Sequence, residues 1–368
     1  MTHATAGPEA AIEPLPEIGC YGLAGHTSSP GDLLDEVRLA ERLGIGAVFL
    51  SERFNLKDAG VLAGAAVAAS ERIGIGTAAT NHNTRHPLVT ATMATTLHRM
   101  SRGRYALGLG RGFDLLFDVM GLPRVTSAQL ADAVGIYRRL WRGEAFGHDG
   151  PAGSYPYLSQ DPSFDEHVPV LMTAIGPTSL ALAGRVADGV VLHTFLTDET
   201  LARSVATVRR AAEEAGRDPA SVRVWAVLAT VSDEIEEEQR LRRLVGRLAT
   251  YLQGYGEVLV RANGWDPEDL RRFREDPVVS GYAGAFDAVG TVEELTRLAE
   301  LLPADWLPAA TGSPAQCATR VRDQLDAGAD SVILHGATPA ELAPVLDAWR
   351  AVRPDGLDTL PRNPGWSR

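Results

Sequence analysis

The sequence has very few of the residues that build covalent or metal-based scaffolds. Its 368 residues include two cysteines, Cys20 and Cys317, which lie far apart and show no metal-ligand spacing. A disulfide framework and a structural zinc site are therefore not expected. The motifs HExxH, CxxC and GxSxG and the P-loop motif are also missing, so the sequence gives little support to a metalloenzyme or a serine nucleophile.

Long apolar runs and a basic stripe are missing as well. No run approaches the ~20 apolar residues of a membrane-spanning helix, and the N-terminal segment lacks the basic flank and apolar core of a signal peptide. The formal charge is −12, with acidic and basic residues interspersed, whereas nucleic-acid binders usually carry a basic stripe. We expect a cytoplasmic protein that acts on a small molecule and has neither a nucleic-acid nor a membrane partner.

The sequence does contain a regular alternation of apolar strands and helical segments. Eight short apolar runs, each followed by a helical pattern, cover residues 18–25, 46–51, 72–76, 104–110, 168–174, 188–193, 221–231 and 330–336. Unbroken apolar strands imply burial on both faces, and hence a parallel sheet covered by helices. Eight such units predict an α/β fold of the (β/α)8 TIM-barrel type. A doubly wound open sheet is the alternative, but no GxGxxG follows the first strand.

The remaining segments suggest the domain organisation. We expect a flexible arm over residues 1–17, a single barrel domain over 18–352, and a loose tail or an arm over a neighbour at 353–368. Residues 232–311 are too long for a simple connection, so they predict a helical insertion between the seventh and eighth strands. Residues 143–167 show no regular pattern and are expected to be irregular.

Polar residues cluster where the predicted strands end. In a TIM barrel the loops after the strands form the active site, and the third strand is followed by the polar loop TNHNTRH, residues 80–86. The turn GLGRG would let the backbone approach a ligand, and GPTS begins a helix whose free N–H groups favour an anion. With Arg111, these features predict a phosphate-bearing cofactor. A helix start capped by Thr178, and glycines kept for tight packing, remain the alternatives.

On these motifs the chain resembles the bacterial luciferase-like flavin and deazaflavin oxidoreductases. The resemblance rests on GIGAVFLSERF, on IGIGTAAT followed by RHPLVTATMATTLHRMSRGRYALGLGRG, on VPVLMTAIGPTSLALAGRVADGVVLH and on GSPAQCATRVRDQLDAGADSVIL. It is greatest to the branch that uses coenzyme F420, a deazaflavin that carries hydride. The resemblance implies a non-proline cis peptide at Ala78–Ala79 or beside it. It also implies these cofactor contacts: Glu52, Arg53, Ala78, Ala79, Thr80, Asn81, Gly110, Arg111, Gly112, Ile175, Gly176, Thr178 and Ser179.

Two departures from the family pattern bear on the substrate. Relatives that oxidise sugar phosphates have a histidine where this chain has Arg53 and a glutamate where it has Phe113. The lysines of that branch have no obvious match, since Lys57 is the only lysine of the chain. The resemblance therefore implies a substrate that is not a sugar phosphate and is more apolar.

The expected reaction needs a group that supplies or takes up a proton. The candidates for this proton are His26, His82 and His193, and His82 is preferred because it follows the expected cis bond. Glu52 is a further candidate catalytic residue. Three functions remain open: an F420-dependent oxidoreductase, which we favour, an FMN-dependent monooxygenase that uses oxygen, and a non-catalytic cofactor-binding barrel. The alanine-rich helix at residues 59–71 fits internal packing or the interface of a homodimer, which the family implies.

Overall fold

The computed structural model describes residues 12–24, 29–54, 56–282 and 284–366. Within them lie ten strands: β1 Leu15–Tyr21, β2 Ile45–Leu50, β3 Gly74–Thr77, β4 Tyr105–Leu109, β5 Ala145–Gly150, β6 Gly153–Ser159, β7 Val170–Thr173, β8 Gly189–Val191, β9 Arg223–Ala229 and β10 Ser331–His335. Eight of them are parallel and form a closed barrel in the order β1-β10-β9-β8-β7-β4-β3-β2, which confirms the predicted fold. The open sheet is wrong, because β1 pairs with both β2 and β10.

Helices surround the barrel and fill the long connection before β10. Their bounds are α1 Leu33–Arg42, α2 Ala59–Ala68, α3 Pro87–Met100, α4 Asp114–Met120, α5 Ser127–Trp141, α6 Pro177–Val186, α7 Asp198–Glu214, α8 Glu237–Leu241, α9 Arg247–Asn263, α10 Pro267–Glu275, α11 Pro277–Ser280, α12 Phe286–Val289, α13 Val292–Leu301, α14 Pro314–Asp326 and α15 Pro339–Val352. Capping boxes built on Thr126, Thr291, Ser313 and Thr338 fix where α5, α13, α14 and α15 begin.

Large apolar side chains fill the inside of the barrel. Phe49, Leu171, Trp225 and Ile333 are buried there in one cluster, and the rings of Phe49 and Trp225 meet edge to face with centroids 4.9 Å apart. The barrel is therefore a packed core and not a pore, so a ligand has to bind at one end of it.

Residues 145–159 form a hairpin that the sequence did not predict. β5 and β6 pair in antiparallel fashion outside the barrel. Asp132 of α5 fixes this hairpin, because its carboxylate accepts the Ala152 N–H at 2.8 Å and lies 2.9 Å from His148 Nε2. The expectation of an irregular segment is wrong, since contacts with the preceding helix α5 supply the missing order.

A helical lobe lies between β9 and β10, as the sequence predicts. Its helices α8–α13 enclose a second apolar core that includes Leu252, Phe273 and Trp306. Phe195, which follows β8, and Ala229, at the end of β9, belong to the same core. The lobe therefore packs over the carboxyl ends of the barrel strands.

The tail residues 361–366 close the opposite end of the barrel. Arg223, at the start of β9, is buried and donates to the carbonyls of Pro361 and Asn363 at 3.0 and 3.1 Å. Trp225 Nε1 donates to the Pro364 carbonyl at 2.8 Å. The expectation of a loose tail is wrong for these residues, because buried donors of the barrel hold their backbone. Among the described helices, none has the length and apolar character needed to cross a membrane.

Candidate functional site at the carboxyl end of the barrel

The third strand leads into a cis peptide bond between Ala78 and Ala79, where the family resemblance places one. Ala78 N–H donates to the Leu50 carbonyl at 2.8 Å, and the Ala79 carbonyl accepts the Glu52 N–H at 3.1 Å. The N–H of the next residue donates to the Gly108 carbonyl at 3.0 Å. Backbone bonds to both neighbouring strands thus hold this bulge at the mouth of the barrel.

The Glu52 carboxylate lies beside the bulge and is surrounded by donors. It accepts hydrogen bonds from Thr80 Oγ1 at 2.5 Å, from Arg85 Nη1 at 2.9 Å and from the Ala59 N–H at 3.1 Å. The hydrogen bond and charge of Glu52 keep the pKa of Arg85 above its ordinary value. These contacts hold the Glu52 side chain against the bulge, so its hydrogen bonds serve to position the backbone there.

The turn after β4 presses against the bulge and against β7. A Cβ at Gly110 would lie 2.7 Å from Thr173 Oγ1 and 3.0 Å from Ala79 Cβ, so this position has room for glycine alone. Asn81 Nδ2 donates to the Gly110 carbonyl at 2.8 Å, and the Gly110 N–H donates to the Thr80 carbonyl at 2.9 Å. Ala79, Gly110 and Thr173 form one surface, which we call the mouth floor.

The beginning of α6 lies directly after β7. Gly176 is the N-cap residue, no side chain caps the helix, and a Cβ at Gly176 would have nothing within 4 Å. A cap formed by Thr178 is therefore wrong: Thr178 is exposed, and Ser179 Oγ donates back to the Gly176 carbonyl at 2.9 Å. Ile175 is partly exposed beside them. The first turn of α6 thus carries no side-chain cap, as an anion-binding helix start requires.

The remaining residues of the β4 turn lie at the rim of the mouth. Arg111 and Gly112 are exposed, and Arg111 Nε donates to the Val125 carbonyl at 2.8 Å. Arg53, on the opposite side, forms a backbone bridge with Lys57, and its charge acts on tyrosines of α9. The mouth thus carries basic side chains on both sides.

The preferred proton donor, His82, receives no support from the structure. Its side chain is buried, its Nε2 has no partner among the described residues, and burial lowers its pKa below the ordinary value. The charge that acts on it is Asp132, which belongs to the outer helix layer. His26, another candidate, lies outside the described residues.

His193, the remaining histidine candidate, is held in the mouth by two short hydrogen bonds. Its Nδ1 lies 2.6 Å from the Thr194 carbonyl, and its Nε2 lies 2.6 Å from the Tyr255 hydroxyl. The Tyr255 ring also contacts the Phe113 ring, with centroids 5.0 Å apart. The Tyr251 ring also packs on His193, with centroids 4.8 Å apart, and it lies next to the Tyr255 ring. Burial lowers the pKa of His193 to about 4.

Tyr255 is not among the functional residues that the sequence predicts. The residue interrupts α9 with non-helical angles, φ −156° and ψ 38°. The available signal was the pair of glycines, Gly254 and Gly256, which flank Tyr255 inside a helical pattern. A Cβ at Gly254 would lie 3.1 Å from the Phe113 ring, so this glycine allows the β4 turn to meet α9.

A second histidine, His335 at the end of β10, links the barrel to the lobe. Thr194 Oγ1 lies 2.7 Å from its Nδ1, and the guanidinium of buried Arg247 donates to its Nε2. The Tyr21 ring packs on it with centroids 4.8 Å apart. Burial, followed by the charge of Arg247, lowers the pKa of His335 well below 6.5.

These two neutral histidines predict a loss of stability in mild acid. The unfolded chain protonates both near pH 6.5, whereas the folded chain takes up these protons only near pH 4 for His193 and well below 6.5 for His335. The unfolded state therefore binds more protons in this window, and the free energy of unfolding falls as the pH is lowered through it.

Thermal unfolding followed between about pH 7 and about pH 4.5 measures this effect. The variants His193→Gln and His335→Gln should each show a shallower decline of the melting temperature than the wild type. Parallel profiles for all three proteins would contradict the assignment of the decline to these side chains.

The fold and the mouth define the class of protein: a TIM barrel with a candidate ligand site at its carboxyl end. A model of the luciferase-like monooxygenase family matches residues 15–331, and the chain belongs to this family. The 5,10-methylenetetrahydromethanopterin reductase of Methanolobus tindarius is 26% identical over 301 residues, which are 80% of this chain and 87% of that protein.

Two further similar proteins carry coenzyme F420 in their names. The F420-dependent glucose-6-phosphate dehydrogenase of Beutenbergia cavernae is 30% identical over 272 residues, covering 62% of this chain and 80% of that enzyme. The solved structure of coenzyme F420 dependent tetrahydromethanopterin reductase from Methanopyrus kandleri has a TM-score of 0.73 and 21% identity, and the match covers 90% of this chain and 97% of that one. This structural likeness shows the shared fold.

Proposed function

We propose that this protein is an oxidoreductase that transfers hydride between coenzyme F420 and a small organic substrate. The observation that carries the proposal is the mouth floor, in a chain whose relatives include enzymes named for their dependence on F420. A sugar phosphate remains an unsuitable substrate, because Arg53 and Phe113 stand where that branch has its acid and base groups.

The residues present fit a cofactor with a flat ring and an anionic tail. The mouth floor consists of the Gly110 backbone and the small side chains of Ala79 and Thr173. A flat ring can therefore approach it closely. The free first turn of α6 and the exposed Arg111 suit a phosphate. When bound, F420 would supply a two-electron hydride carrier. The chain itself would hold the ring on the floor, exclude water with the lobe and handle the proton.

Titration of the purified protein with F420 and, separately, with FMN tests the proposal. We expect F420 fluorescence to be quenched to saturation, and a deazaflavin without the phosphate tail to bind more weakly. Tight FMN binding with oxygen consumption and no response to F420 would instead favour the monooxygenase. F420 binding with no substrate consumed in a broad screen would favour the non-catalytic barrel.

We further propose that the protein is a cytoplasmic homodimer. The two buried cysteines are free thiols, as a reducing compartment would keep them. Val61 of α2 and Val89 of α3 are 71% and 56% exposed, and exposed apolar side chains on packed helices suit an interface. Light scattering should give the mass of a dimer, and the double variant Val61→Asp/Val89→Asp should give that of a monomer. A monomeric wild type contradicts this proposal.

A further inference from the structure

The hydrogen bonds of His193 fix which of its nitrogens carries the proton. A backbone carbonyl can only accept, so the short contact with the Thr194 carbonyl requires a hydrogen on Nδ1. In the neutral ring Nε2 is then an acceptor, and the Tyr255 hydroxyl 2.6 Å away has to donate to it. The Tyr255 oxygen is left with lone pairs and can only accept from a further partner.

Tyr255 lies where a substrate beside the mouth floor could reach it. Its ring touches Phe113 in the turn after β4, and its hydroxyl touches His193 after β8. β4 and β8 both pair with β7, whose Thr173 belongs to the mouth floor. Tyr255 therefore spans the mouth above β7 and is partly exposed there.

We propose that Tyr255 and His193 form a proton-accepting relay, and that the substrate carries a hydroxyl group which the enzyme oxidises to a carbonyl. This inference rests on the proposed function. The substrate O–H proton passes to Tyr255 Oη while the Tyr255 proton passes to His193 Nε2. The hydrogen on the carbinol carbon leaves as hydride, with both electrons of its bond, to the deazaflavin acceptor. The C–O bond becomes C=O, and the imidazolium returns its extra proton to water.

A carbonyl substrate would fit this arrangement poorly. Its oxygen would face the lone pairs of Tyr255, unless Tyr255 turned its proton away and left Nε2 without a partner, an arrangement that is costly for an enclosed polar atom. The lowered pKa of His193 keeps Nε2 free to accept at neutral pH. The titratable and charged groups around His193 are Tyr251, Tyr255, His335 and, through His335, Arg247.

The test compares Tyr255→Phe with Tyr251→Phe, a matched change of a neighbouring tyrosine whose hydroxyl pairs with Arg247. Reduction of F420 is followed with isopropanol, cyclohexanol and benzyl alcohol as probes, across a range of pH. Tyr255→Phe should lower kcat by about 100-fold, the usual share of acid–base catalysis, whereas Tyr251→Phe should lower it far less. The Kd for F420, measured by fluorescence, should change little in either variant.

A readout independent of turnover is nitrogen NMR of the His193 side chain. We expect a protonated Nδ1 and an Nε2 resonance that moves in Tyr255→Phe and stays in Tyr251→Phe. A hydrogen on Nε2 in the wild type, or equal losses of kcat in the two variants, would overturn the relay. An enzyme that binds F420 but oxidises none of the three alcohols would overturn the substrate class. Failure to bind F420 would instead refute the proposed function. The NMR measurement would then still decide whether Tyr255 donates to His193.

Discussion

Replacing Glu52 by glutamine is expected to lower the free energy of unfolding by about 3 kcal/mol, as for other buried ion pairs that lose one partner. The Glu52 side chain is 3% exposed and that of Arg85 is 19% exposed, so the pair is largely removed from water. Glutamine at position 52 would leave the Arg85 guanidinium without its buried negative partner. It would also weaken the hydrogen bond that Thr80 Oγ1 donates to this side chain. Urea unfolding followed by tryptophan fluorescence measures the difference.

Asp58→Asn is the matched control, because Asp58 also binds Arg85 but its side chain is 47% exposed. Asparagine preserves the cap that Asp58 gives to the Val61 N–H, so the expected loss is below about 1 kcal/mol. If Glu52→Gln and Asp58→Asn lowered the free energy of unfolding equally, the result would contradict the role of Glu52 in holding the bulge. Full stability of Glu52→Gln with a collapse of kcat would instead support Glu52 as a catalytic residue.

The fold could be predicted from the sequence because its signal is local. Each barrel strand is a short apolar run next to a helical pattern, and the run of eight such units is visible without any knowledge of contacts. The cis bond at Ala78–Ala79, by contrast, was expected from the resemblance to the luciferase-like family and not from a local pattern. Where a structural feature depends on neighbouring residues alone, its pattern suffices.

What the sequence could not reveal depends on partners far along the chain. His193 and Tyr255 are 62 residues apart, and Arg223 and the Pro361 carbonyl are 138 apart. No periodicity connects such positions, so the tail was expected to be loose and Tyr255 was overlooked. His82 shows the opposite error: it lies next to the cis bond in sequence, yet the charge acting on it belongs to the outer layer.

Adding one methyl group at Gly110 is expected to weaken F420 binding by about 10-fold to 100-fold, since overpacking a tightly packed position costs about 1–3 kcal/mol. The new Cβ of Gly110→Ala would lie 2.7 Å from Thr173 Oγ1 and 3.0 Å from Ala79 Cβ. The backbone cannot retreat easily, because hydrogen bonds of 2.8 and 2.9 Å hold the Gly110 carbonyl and N–H. The mouth floor therefore has to move. Fluorescence titration measures the Kd.

Gly135→Ala is the control for the substitution itself, since a Cβ at this position of α5 would have nothing within 4 Å. It should leave the affinity for F420 unchanged and should not lower the melting temperature. Thr173→Ala removes the atom that the new methyl group meets first, so the double variant Gly110→Ala/Thr173→Ala should recover most of the lost affinity. If the two substitutions lowered the affinity for F420 additively, crowding at the mouth floor would not be the cause of the weaker binding. Unchanged affinity in Gly110→Ala would place the deazaflavin ring elsewhere.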